Sequence, residues 1–270
     1  MINERAPLVL LLLIACLLHP SQGLPNGRIL GGEDASSGQF PWAASLRVKN
    51  VHTCVATIIS ETYLLTAAHC VSQTGLTPLP LDQINVRVGS INQHAGGSIV
   101  SVKEVLIHPS YGNFLHDIAI LTLSVPLTFN EKVNKVALPE SEEEEGSGEE
   151  GGEGEGEGEA ELPNGTPVHV AGWGELLSGG SAYYLQSSTF QTLSSHYCEL
   201  AAGYGYESVL CLESGERQGV CRGDAGAPVV DDQKTLQGLV SFHFGNCGTT
   251  SPDVASRIVY YKDWINNNTQ

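Results

Sequence analysis

The sequence predicts an all-β protein stapled by disulfides and made for an oxidising compartment. Three observations lead there. Short alternating or β-branched runs recur from residue 29 onward, at 84–88, 118–123, 168–170 and 239–240, and clusters of Gly, Pro, Asn and Ser separate them. Helical periodicity is confined to the end of the chain. Residues 257–266 set Ile258, Tyr261 and Ile265 three and four positions apart, and Val259 and Trp264 add apolar surface. Finally, one of seven cysteines, Cys16, lies in an N-terminal apolar run. The rest (Cys54, Cys70, Cys198, Cys211, Cys221 and Cys247) make an even set suited to disulfides. Six cysteines admit fifteen pairings, so the count alone leaves connectivity open.

The N-terminus reads as a secretory signal over residues 1–23. Arg5 supplies positive charge, and residues 8–18 form an apolar run of 11, too short for a bilayer core of roughly 30 Å. Ser21 and Gly23 are small, as a cleavage site after Gly23 requires. The protein is therefore expected to be secreted and extracellular, with no membrane span.

Charge is concentrated in one place. Residues 140–163 hold twelve Glu and no Lys or Arg; setting those Glu aside takes the net charge from −17 to −5. Nothing resembles the Lys/Arg clusters that nucleic acid needs, so nucleic acid is excluded as a partner. This Glu/Gly/Ser stretch cannot bury enough apolar surface to offset ordering entropy, and it reads as a disordered insert dividing the chain into two similar halves. Asn164-Gly165-Thr166 and Asn267-Asn268-Thr269 are N-glycosylation sequons, expected at the surface; Pro167 weakens the first.

Three motifs bear chemistry: Leu65-Thr66-Ala67-Ala68-His69-Cys70, then His116-Asp117-Ile118-Ala119-Ile120-Leu121, then Cys221-Arg222-Gly223-Asp224-Ala225-Gly226-Ala227-Pro228. In this order and spacing the chain resembles the chymotrypsin/trypsin family of serine proteases. Ile29-Leu30-Gly31-Gly32, Pro41-Trp42 and Gly172-Trp173-Gly174 agree. The composition is similar to insect secreted serine protease homologues. The resemblance implies two six-stranded antiparallel β-barrels with a C-terminal helix, a short propeptide at 24–28 and a protease domain at 29–270. It also selects the disulfides Cys54–Cys70, Cys198–Cys211 and Cys221–Cys247.

By the same resemblance His69 is the general base and Asp117 the carboxylate that orients it. The nucleophile should follow Gly223-Asp224, where this chain has Ala225, a methyl group with no oxygen. Removing the nucleophile of such a triad costs around 10⁶-fold in rate, roughly 8 kcal/mol of barrier. Backbone N–H groups at Gly223 and Ala225 would form the oxyanion hole. Val55, Ala56 and Ala227 replace glycines usual in the family, and are expected to crowd the cleft. The specificity pocket is expected from Gly219, Ser241, Phe242, His243 and Asp253, with His243 and Asp253 facing each other as a partial plug. Arg28-Ile29 resembles the activation site, whose freed ammonium would pair with Asp224.

The expected function is that of a pseudo-protease: a secreted, monomeric regulator, cofactor or decoy that binds an extracellular protein in a proteolytic pathway. Two alternatives stay open at this point, an active endopeptidase despite Ala225 and a structural component of a secreted fluid. No cofactor or metal is expected. The stretch from 89 to 101 has no Asp or Glu to hold calcium, and no Cys/His spacing suits zinc. The remaining histidines read as ordinary.

Overall fold

The computed structural model describes residues 32–139, 162–176, 179–213, 215 and 217–270. The signal, the propeptide and nearly all of the acidic insert lie outside them.

The first half closes into a barrel. Its strands are β2 (Ala43–Val48), β3 (Val51–Ile58), β4 (Tyr63–Thr66), β7 (Ile84–Val88), β8 (Ser98–Ile107) and β9 (Ala119–Leu123). The order around the barrel is β2-β3-β4-β9-β8-β7, and β2 pairs with β7 to close it. Strand β7 shows why these residues choose strand: Ile84, Val86 and Val88 point inward, while Asn85 and Arg87 point out, the period-two alternation of a half-buried sheet. Breaks in register at Leu46/Arg47 and Val102/Glu104 add the local bend that closure demands. A two-stranded ribbon, β5 (Ser72–Thr74) with β6 (Thr77–Pro78), leaves the barrel after the turn carrying His69.

The second half repeats the solution with β10 (Pro167–Gly172), β11 (Gln186–Leu193), β12 (Val209–Glu213), β13 (Pro228–Val230), β14 (Leu236–Phe242) and β15 (Asp253–Arg257). These run β11-β10-β13-β14-β15-β12, and a β11–β12 pairing joins the ends. Strand β1 (Glu33–Asp34) adds to β11. The fold is thus two six-stranded antiparallel barrels, as the motifs imply.

Each barrel has its own core, one around Leu46, Leu64, Ile120 and Leu121, the other around Val170, Trp173, Phe190 and Leu212. The helix α2 (Ile258–Asn268) buries Ile258, Tyr261 and Ile265, the three residues at helical spacing. It joins them to the cluster of the first barrel although it follows the last strand of the second, and so ties the halves together. Burial of each contributes roughly 2 kcal/mol. A second helix, α1 (Ser195–Ala202), was not expected from periodicity. Only Cys198 is buried on it, and it stops at Gly203, left-handed at φ 71°. The three disulfides are Cys54–Cys70, Cys198–Cys211 and Cys221–Cys247, the pairings the resemblance selects. Among the described residues no helix is long and apolar enough to cross a membrane.

Candidate active site

Both barrels contribute to one cleft of about 310 Å³, whose lining includes His69, Arg222, Gly223, Ala225, Ser241 and His243. His69 sits on a short 3-10 turn, Ala68–Cys70, directly after β4. Asp117 precedes β9 and is fully buried. Its carboxylate accepts three hydrogen bonds: from the His69 backbone N–H at 2.9 Å, from His69 Nδ1 at 2.7 Å, and from the Ser241 hydroxyl. The Ser256 hydroxyl donates to the Asp117 carbonyl at 3.0 Å. A buried carboxylate is tolerable only when satisfied in this way. Because Oδ2 only accepts, Nδ1 of His69 carries the proton and Nε2 keeps its lone pair.

The chain pays conformational strain to deliver Asp117. Asn113, Phe114 and His116 all adopt positive φ (49°, 60° and 51°), which L-residues avoid by roughly 1–2 kcal/mol each. Phe114 thereby places its ring 5.7 Å from the ring of His69.

The loop from Cys221 to Pro228 forms the other side. Asp224 is its anchor, fully buried, with Oδ1 accepting from Gly174 N–H at 2.7 Å and Oδ2 from Cys221 N–H at 3.0 Å. Burial pushes its carboxyl up to about 7, against the pull of those two bonds. A Cβ on Gly172 or Gly174 would fall 2.1 and 2.2 Å from the Asp224 carboxylate, which explains the two glycines around Trp173. Gly226, at φ 79°, lets the loop touch the first barrel; a Cβ there would lie 2.1 Å from Val55 O and 2.5 Å from Thr66 Oγ1. Ala225 itself is held through its backbone, its carbonyl accepting from Val55 N–H at 2.8 Å.

His52 is the residue that sequence reasoning missed. Its Nε2 donates to the Gly223 carbonyl at 3.1 Å, and its Nδ1 accepts from the Ser45 hydroxyl at 2.8 Å. Burial holds its pKa down near 4, so the ring is neutral and the tautomer is fixed by the carbonyl. It therefore clamps the backbone at the proposed oxyanion hole. Its partners lie 7 and 171 residues away, so no local pattern exposes it.

Two expectations need correction. Val55 and Ala227 do not crowd the cleft: both are fully buried and pack into the core of the second barrel, and Ala56 into that of the first. His243 and Asp253 do not face each other as a pair. Asp253 accepts from Val220 N–H at 2.9 Å, and burial, with Asp224 nearby, pushes its carboxyl up to about 7. His243 instead lies with Nε2 3.6 Å from Cys247 Sγ. Burial, then the charge of Arg222, lowers its pKa. Gly219 is buried beside Asp253, where a Cβ would lie 3.2 Å from Oδ2. Among the described residues the two His/Cys clusters, Cys54-His69-Cys70 and Cys221-His243-Cys247, are each built on a disulfide and offer no thiolate to a metal. Asn164 and Asn267 are exposed, while Arg28 and Ile29 lie outside the described residues.

The trypsin family model matches residues 29–265. This chain belongs to the trypsin family. It is 31% identical to "Serine protease SP24D" of Anopheles gambiae, over 89% of this chain and 80% of that one. It is 30% identical to a trypsin of Phaedon cochleariae, over 91% and 90%. Among solved structures it resembles neuropsin, a serine protease expressed in the limbic system of mouse brain, with a TM-score of 0.72 at 25% identity, covering 88% of this chain and 99% of that one.

Proposed function

We propose that the chain is a secreted, non-hydrolytic member of the trypsin family that works by binding. Its role is that of a monomeric regulator, cofactor or decoy for an extracellular protein in a proteolytic pathway. The observation that carries this reading is Ala225, a methyl group in the cleft that also holds His69. A base oriented by a carboxylate has nothing to deprotonate there, so no acyl-enzyme forms. What survives is a shaped cleft with donors on one wall.

The competing reading, an active endopeptidase, is favoured by the protease names of its relatives and by the intact His69–Asp117 pair. Turnover of fluorogenic peptides by the purified chain separates the two. Non-hydrolytic binding predicts a rate around 10⁶-fold below that of a working protease, no more than about 10³ over water. A kcat in the ordinary protease range sinks the proposal.

A further inference from the structure

The cleft has lost a hydroxyl and kept a set of hydrogen-bond donors with nothing to hold. Among the described residues the N–H groups of Gly223 and Ala225 donate to no other group. His52 fixes the Gly223 carbonyl from behind, which leaves that peptide's orientation set. His69 is committed to Asp117 through Nδ1, and the polar neighbour of its Nε2 is Cys70 Sγ at 3.7 Å, a weak partner. Arg222 lines the same cleft, and among the described residues no carboxylate does.

We propose that this cleft is a receptor for a free peptide C-terminus. One oxygen of the terminal carboxylate accepts from Gly223 and Ala225 N–H. The other lies beside the Ala225 methyl, facing His69, and Arg222 adds its charge. The terminal side chain enters the pocket walled by Val220, Val240 and Phe242. The inference rests on the non-hydrolytic reading and names the ligand class of that site.

Charge selects the ligand. An oxyanion hole gains its strength only as negative charge develops on an attacked carbonyl. Without a nucleophile an internal peptide carbonyl stays neutral and makes ordinary hydrogen bonds. A terminal carboxylate arrives already ionised, and its hydrogen bonds are roughly twice as strong. In an intact triad a serine oxygen, itself carrying lone pairs, occupies the place of the second carboxylate oxygen; a methyl group does not repel it. Each peptide-bond hydrolysis by another protease creates one such end, so endoproteolysis is a reaction class that would supply the ligand.

The test uses N-acetylated tetrapeptides ending in Leu, Phe or Lys, each as free acid and as C-terminal amide, titrated into the full secreted chain by calorimetry. We expect at least one acid to bind about tenfold tighter than its amide, the ratio that one charge-assisted contact set supplies. Arg222→Gln, at an exposed position, should lower acid affinity severalfold and amide affinity by less, narrowing the acid-to-amide ratio. Amides binding as tightly as acids overturn the receptor and leave the non-hydrolytic reading standing, as does an absence of binding in both forms. Hydrolysis of the amides overturns both.

Discussion

The two walls of the cleft hold their key residues by opposite means. On one, Asp117 is fixed through its side chain: three donors converge on its carboxylate, and a fourth reaches its carbonyl. On the other, Ala225 is fixed through its backbone alone, by the Val55 N–H and the glycine contact of the next residue. The difference teaches which parts of a catalytic constellation are also structural. Asp117 cannot change without leaving buried donors unpaired. A side chain at 225 can be trimmed to a methyl group with no hydrogen bond lost from the fold. Chemistry can vanish from the second wall while the first stays intact for reasons of stability.

The sharpest way to break this contrast is at Asp117. Asp117→Ala should destabilise the fold by about 3 kcal/mol, because it orphans the His69 N–H and the Ser241 hydroxyl in a buried site. Urea denaturation measures it, and a loss under about 1 kcal/mol means the network is ornamental. On the other wall the backbone should matter where the side chain does not. Gly226→Ala forces a methyl to 2.1 Å from Val55 O at a positive φ, and should cost about 2–3 kcal/mol by the same assay.

The buried carboxylates give the next, pH-dependent effect. Before any cleavage after Arg28, Asp224 and Asp253 both have folded pKa values raised to about 7, above their values in the unfolded chain. The native state then binds more protons between about pH 4 and 7, so stability is full below that window and falls as pH rises through it. Asp253→Asn keeps an acceptor for Val220 N–H and removes one charge. It should flatten this decline, raising stability at pH 8 by on the order of 1–2 kcal/mol while changing little at pH 5. Thermal melts at the two pH values check it; a uniform gain or no gain contradicts the assignment. The smallest effect belongs to Ala225→Ser, which should leave stability within about 0.5 kcal/mol of the parent chain.

The sequence made part of this legible. The alternating runs foretold strands, and the 3/4 spacing of Ile258, Tyr261 and Ile265 foretold a helix that the structure extends to Asn268. The order of the three motifs implied the double barrel and the three disulfides. Helix α1 escaped because it buries one residue and owes its place to a disulfide and a glycine stop, which leaves no apolar stripe to read. The β2–β3 turn escaped too: Lys49 and Asn50 take positive φ where Asn-Gly would have announced the hairpin. At the site, His69 and Asp117 were visible because each lies inside a contiguous motif. His52 was invisible because its role exists only once two barrels meet. Val55 and Ala227 were misplaced for the same reason, since strand neighbours cannot say whether a side chain faces the cleft or the core.

Everything turns on the absence of an attacking oxygen at residue 225, and a fluorophosphonate probe reads that atom directly. The parent chain and Ala225→Ser should be treated side by side and examined by intact-mass spectrometry. The account predicts no adduct on the parent chain at any time, and an adduct on the serine variant wherever the hole and base are formed. A stoichiometric adduct on the parent chain would contradict it.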